Sequence, residues 1–254
     1  MNEIVQICPN ITLVHDEGFG DFCVPIVSDV IMNIDMAFSR ALSIHFFSSN
    51  PCIIKYNHFK DEPRCSDTAD GRVIYLHTHD DYWCQWAYQF AHEYCHHLIN
   101  GPMIDEISGL MWFEETICEL SSMYHIHNIY KAWSSYPTFS TQNIKAPIFR
   151  DYLDGLLSRA MEKGLRVGHI PLQTILQSWD SLLRENVYHR DHYNAIAARM
   201  FPLFLENPYL WKMILYIGDS RQWNSLEELF AHLERNADDS YSDSLIQLKN
   251  LLIP

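Results

Sequence analysis

Several protein classes are excluded by what this chain has little of. Its 254 residues include no run of Lys or Arg longer than two, and 18 basic side chains stand against 32 acidic ones, for a formal net charge of −14. Such a chain repels phosphate backbones, so nucleic acid is not expected as a partner, and the acidity reads as a solvated surface. Long apolar runs are missing too: the most apolar region, 24–47, is broken by Asp29, Asp35 and Arg40, and Met1-Asn2-Glu3-Ile4 lacks the basic start and apolar stretch of a secretory leader. A soluble cytoplasmic protein with no membrane contact is therefore expected. The seven Cys are odd in number and never spaced Cys-x-x-Cys, which argues against both a disulfide framework and a thiolate zinc site and suits a reducing compartment. Glycine is scarce at nine residues, and no repeat or low-complexity tract appears, so fibrous and solenoid architectures are excluded.

What the chain does have is apolar residues, 48% of the total, enough for one sizeable core or for two lobes. Its texture changes near residue 135. Before that point, β-branched stretches at Ile11–Val14, Cys52–Tyr56 and Val73–Leu76 alternate with helical patterns, the first over Asp29 to Phe46; after it, nearly everything reads as helix. Trp133 to Ala146, with Ser134, Ser135, Pro137 and Thr141, reads as the connecting loop. In the second half Gly164 and Gly168 follow one helix, Pro171 opens another, Asn207-Pro208 starts a third that stops at Gly218, and Ser225 with Glu228 forms a capping box for a fourth. The expected fold class is α+β: an N-terminal lobe over 1–135 with a small sheet, followed by a mainly helical lobe over 147–254.

The chemistry concentrates after the strand Arg72–Leu76. From about Asp80 to Ile99, Trp83, Trp86, Ala87, Phe90, Ala91, Tyr94 and Leu98 recur at spacings of three and four, the mark of a buried helical face, with Thr78 or Asp80 at its start and Asn100-Gly101-Pro102 at its end. On this helix lies His92-Glu93-Tyr94-Cys95-His96. The i, i+4 separation sets two imidazoles one turn apart on one side, as a tetrahedral metal requires. Chance alone places H-E-x-x-H in roughly 4% of chains of this composition, so the helical context carries the argument. A second helix, over about 112–130, presents Glu115 and Glu119 one turn apart. Eighteen residues separate His96 from Glu115, room for a turn and an antiparallel return, and a His, His, Glu set with one open position is a catalytic zinc site.

This combination, His92-Glu93-x-x-His96, an eighteen-residue gap and then Trp112-Phe113-Glu114-Glu115, resembles the gluzincin zinc metallopeptidases, which include thermolysin-like peptidases and zinc aminopeptidases. The resemblance implies a thermolysin-like lobe in which His92, His96 and Glu115 hold Zn2+, Glu93 is the general base, and Glu119 orients a ligand from behind. It also implies an oxyanion-stabilising Tyr at the start of a downstream helix, carried here to Tyr193, with a second Tyr five residues earlier at Tyr188; Ile196 stands where the family has Gly. The Gly-x-Met-x-Asn segment with which aminopeptidases hold a free amine does not occur before His92, so the resemblance does not extend to exopeptidase action. The strand Arg72–Leu76 occupies the place of an edge strand that pairs with extended substrate.

The activity expected is hydrolysis of peptide bonds in peptides or proteins by a metal-activated water. Duller readings exist for each residue. The His92, Glu93, His96 cluster can be a satisfied core group without metal, Glu115 and Glu119 can be helix-surface carboxylates, and Tyr193 can be a half-buried aromatic, with His189 or His192 as donor instead. His97 points about 100° away from the pair and reads as structural; His77 and His79 read as loop residues. A zinc scaffold that binds or regulates without turnover, or a hydrolase of non-peptide amides, stands as the alternative function.

Overall fold

The structure, a computed structural model, describes residues 3–42, 51–68, 71–101, 108–164, 170–185 and 189–254. It is an α+β fold with a small mixed sheet. The strands are β1 (Glu3–Cys8), β2 (Ile11–His15), β3 (Cys52–Tyr56), β4 (Arg64–Thr68) and β5 (Gly71–Leu76), in the order β1-β2-β3-β5-β4. β2, β3 and β5 run parallel, and the outer strands β1 and β4 pair antiparallel to their neighbours. Ile11, Leu13, Ile54, Val73, Ile74 and Leu76 are buried, as β-branched and leucyl side chains in a pleated core should be.

The helices are α1 (Val24–Leu42), α2 (Trp83–Ile99), α3 (Met111–Ser134), α4 (Thr141–Gly164), α5 (Leu172–Glu185), α6 (Arg190–Glu206), α7 (Leu226–Asn236) and α8 (Ser242–Leu252), with a 3-10 segment over Pro208–Tyr216. Among the described residues no helix is long and apolar enough to cross a membrane. The chain divides into two compact units, residues 1–97 with 125–153, and 98–124 with 154–254.

In the first unit α1 buries Val27, Val30, Ile31, Ile34 and Phe38 at helical spacing, and Tyr94 of α2 donates a hydrogen bond to Asp35 Oδ1 at 2.8 Å. The start of α2 is fixed by side chains rather than by a simple cap. Asp80, at φ 49, accepts from the backbone N–H of Asp21 at 2.9 Å, and Gln89 bonds both the N–H and the C=O of His77, at 2.9 and 2.8 Å. These bonds hold α2 against the end of β5. In the second unit Phe113 packs on Phe230, and Trp211 packs on Tyr124 and Phe204. Ser225 caps α7 by accepting from Glu228 N at 3.3 Å, while Glu228 reaches back to Asn224 N at 3.0 Å, one residue earlier than a strict capping box.

Three expectations need correction. Arg72–Leu76 is not an edge strand: β5 lies between β3 and β4, and β4 is the outer strand on that side. β4 escaped notice because its sequence, Arg64-Cys65-Ser66-Asp67-Thr68, buries Cys65 alone and shows no apolar run. The loop at Trp133–Ala146 shrinks to 135–140. Trp133 is fully buried against Trp83 and Phe149, which extends α3, and Ser140 accepts from Asn143 N at 3.0 Å, an N-cap that starts α4 at Thr141. The first helix begins at Val24 rather than Asp29, with Pro25 in its first turn where the missing N–H is harmless; the upper end of that expected helix, beyond 42, lies outside the described residues.

Candidate metal centre

His92 and His96 are one turn apart on α2, with ring centroids 5.1 Å apart and planes at 64°. The helix is buried on more than its apolar stripe: His92, Glu93, His96 and His97 are all under one-tenth exposed. Burying four titratable groups within two turns is unfavourable unless each is engaged. His97 stacks on Tyr94 with planes at 11° and centroids 5.6 Å apart, consistent with a packing role. Glu93 lies close enough to Cys65 of β4 to influence its thiol, which is held well above the usual range first by burial and then by the Glu93 charge.

One ligand atom each of His92, His96 and Cys118 lies within 4.8 Å of the other two, a group able to hold a metal ion. Cys118 was not foreseen. It has no Cys-x-x-Cys partner, and the one signal for it was its place three residues after Glu115, on the same side of α3. Glu115 is outside that 4.8 Å group, although it shares the helix face.

Glu115 and Glu119 each meet a residue from the start of α6. Glu119, with 1% of its side chain exposed, takes an ion pair from Arg190 Nε at 2.9 Å. Tyr193, 1% exposed, has its phenol held above the usual range by burial and then by the Glu115 charge, so the hydroxyl keeps its proton. His189 and His192 sit beside it, His192 against Trp179 at 4.5 Å and against His189 at 5.3 Å. Tyr188 lies outside the described residues.

The remaining histidines fall elsewhere. His77 faces Asp61 at 3.6 Å and the Tyr56 ring, and His79 pairs with Asp80 at 3.0 Å. His125 is buried with its ring 4.4 Å from Phe38, and burial pushes its pKa down to about 3. His127 is lowered by burial and by Lys131. No protein family, characterised protein or solved structure matches this chain.

Proposed function

We propose that the chain is a zinc-dependent metallopeptidase of gluzincin type with a thermolysin-like catalytic lobe, acting on peptides or proteins. The observation that carries this reading is the buried pair of imidazoles on α2, rings 5.1 Å apart, converging with Cys118 as a third donor. Two imidazoles with thiolate or carboxylate donors form a borderline-soft set that suits zinc better than magnesium or calcium. His92 and His96 hold the metal; Glu115, by its spacing, supplies the third ligand, and Glu119 supports it. Zinc at such a site makes water acidic near neutral pH and polarises a carbonyl.

The chain's own groups do the rest. Glu93, buried on α2, takes the proton of the attacking water and delivers it to the leaving amine. Tyr193 donates a hydrogen bond to the oxygen of the tetrahedral intermediate, where a positioned donor contributes roughly 3–4 kcal/mol. β4, the outer strand on its side of the sheet, is where an extended peptide would add as a further strand.

A second reading rests on Cys118. If His92, His96, Cys118 and Glu115 all bind one zinc, the site is closed by four protein ligands and the protein is a binding or regulatory scaffold without turnover. Metal analysis of wild type, His96→Ala and Cys118→Ser, followed by peptide hydrolysis with and without Glu93→Gln, tests both. The peptidase reading predicts about one zinc per chain, lost in His96→Ala, and hydrolysis abolished by Glu93→Gln with metal retained. A thiolate charge-transfer band in the cobalt-substituted protein, absent from Cys118→Ser, together with no hydrolysis of any peptide, selects the scaffold. No stoichiometric zinc after reconstitution sinks both.

A further inference from the structure

Arg190 is an odd choice for the first residue of α6. A cation at a helix N-terminus opposes the helix dipole, and His189, the residue that precedes it, makes no side-chain capping bond. The guanidinium is explained instead by what it meets: Glu119, almost wholly buried, at 2.9 Å. Two helices match here at two rungs. On α3, Glu119 and Glu115 are one turn apart; on α6, Arg190 and Tyr193 are three residues apart, on one side of the helix. Arg190 engages the first carboxylate and Tyr193 sits within the field of the second. The permanently charged guanidinium gives a carboxylate that is 1% exposed the countercharge that its burial demands, and so ties the first turn of α6 to α3.

We infer that Arg190 is a positioning residue: by pairing with Glu119 it fixes the first turn of α6 and thereby the place of the Tyr193 hydroxyl beside Glu115. Its consequence for catalysis rests on Tyr193 acting as the oxyanion donor, and the test separates the two. Zinc-loaded full-length protein is compared as wild type, Arg190→Gln, Arg190→Lys, Tyr193→Phe and the Arg190→Gln/Tyr193→Phe double variant, reading kcat, KM and zinc affinity by chelator competition. Tyr193→Phe lowers kcat on the order of 100-fold with KM and zinc affinity within about twofold. Arg190→Gln lowers kcat about tenfold in the wild-type background and less than about twofold in the Tyr193→Phe background, because the group it positions is already gone. Arg190→Lys recovers part of the loss.

A readout independent of activity uses metal-free protein labelled at tyrosine Cζ. The resonance missing from Tyr193→Phe identifies Tyr193, and in Arg190→Gln that resonance moves while the other tyrosines stay. Equal losses of kcat in both backgrounds, or a Tyr193 resonance unmoved by Arg190→Gln, overturns the positioning role. A displaced Tyr193 resonance with full activity in Tyr193→Phe upholds the positioning role and overturns the oxyanion role instead.

Discussion

The Tyr94 hydroxyl donates to Asp35 Oδ1 at 2.8 Å, tying the residue between Glu93 and Cys95 on α2 to the middle of α1. Tyr94 is 1% exposed, and the Asp35 carboxyl is raised by burial, an effect that the Tyr94 bond partly offsets. The pair therefore fixes the turn that carries the candidate base, at the price of a half-buried charge.

Tyr94→Phe removes one hydrogen bond to a charged group and destabilises by about 1.5–3 kcal/mol at neutral pH. The sign with pH follows from the carboxylate. Without its donor the Asp35 pKa rises further, and a raised carboxyl loses stability as pH climbs above its unfolded value, so the deficit is largest at neutral pH and shrinks towards pH 4. Urea denaturation of both proteins at the two pH values checks this, and a deficit that grows on acidification contradicts it.

Gln89 holds both backbone groups of His77. Gln89→Leu leaves a donor and an acceptor without their partner and lowers stability by about 1–3 kcal/mol, whereas Gln89→Glu keeps the acceptor for the His77 N–H and costs less. The comparison of denaturation midpoints decides; equal midpoints for the two variants would mean that the bonds contribute nothing.

Gly109 and Gly218 share φ 58 but differ in surroundings. A Cβ at Gly109 would lie 2.5 Å from the Arg221 carbonyl oxygen, while at Gly218 the nearest atom is the end of the Gln222 side chain at 3.6 Å. Gly218→Ala should therefore cost only the left-handed penalty of about 1–2 kcal/mol, and Gly109→Ala clearly more. Since Leu110 N bonds Ser220 O at 3.0 Å just before α3 begins, the Gly109 variant should also weaken zinc retention, measurable by chelator competition.

His125 stays neutral in the fold because burial pushes it down to about 3. An unfolded imidazole titrates near 6.5, so between about pH 6.5 and 3 the unfolded chain binds the extra proton and stability is lost as pH falls through that window. His125→Leu should flatten this slope relative to wild type. Melting temperatures at pH 7, 6, 5 and 4 test it, and parallel curves for the two proteins would rule out His125 as a source of acid sensitivity.

Much of the local structure was legible in the sequence because its causes lie within one or two turns of chain. The i, i+4 spacing of His92 and His96, the stripe from Trp83 to Leu98, the Ser225 cap and the β-branched strands each follow from fixed helical or pleated periods. The misread segments had competing local signals: Ser140 looked like loop punctuation and proved to be a cap, and β4 carried too few apolar residues to show a period.

The sequence by itself thus determined which helix carries the histidines and which side they share. Only the tertiary structure decided that Cys118 approaches them, that β4 rather than β5 is the outer strand on its side, that Arg190 reaches Glu119 and that Tyr94 bonds Asp35. The side-chain partners are separated by between 22 and 71 residues of chain, and no backbone period relates them. Their pairing is set by how buried faces pack and by the need of each buried polar group to find a partner, which depends on the whole fold at once.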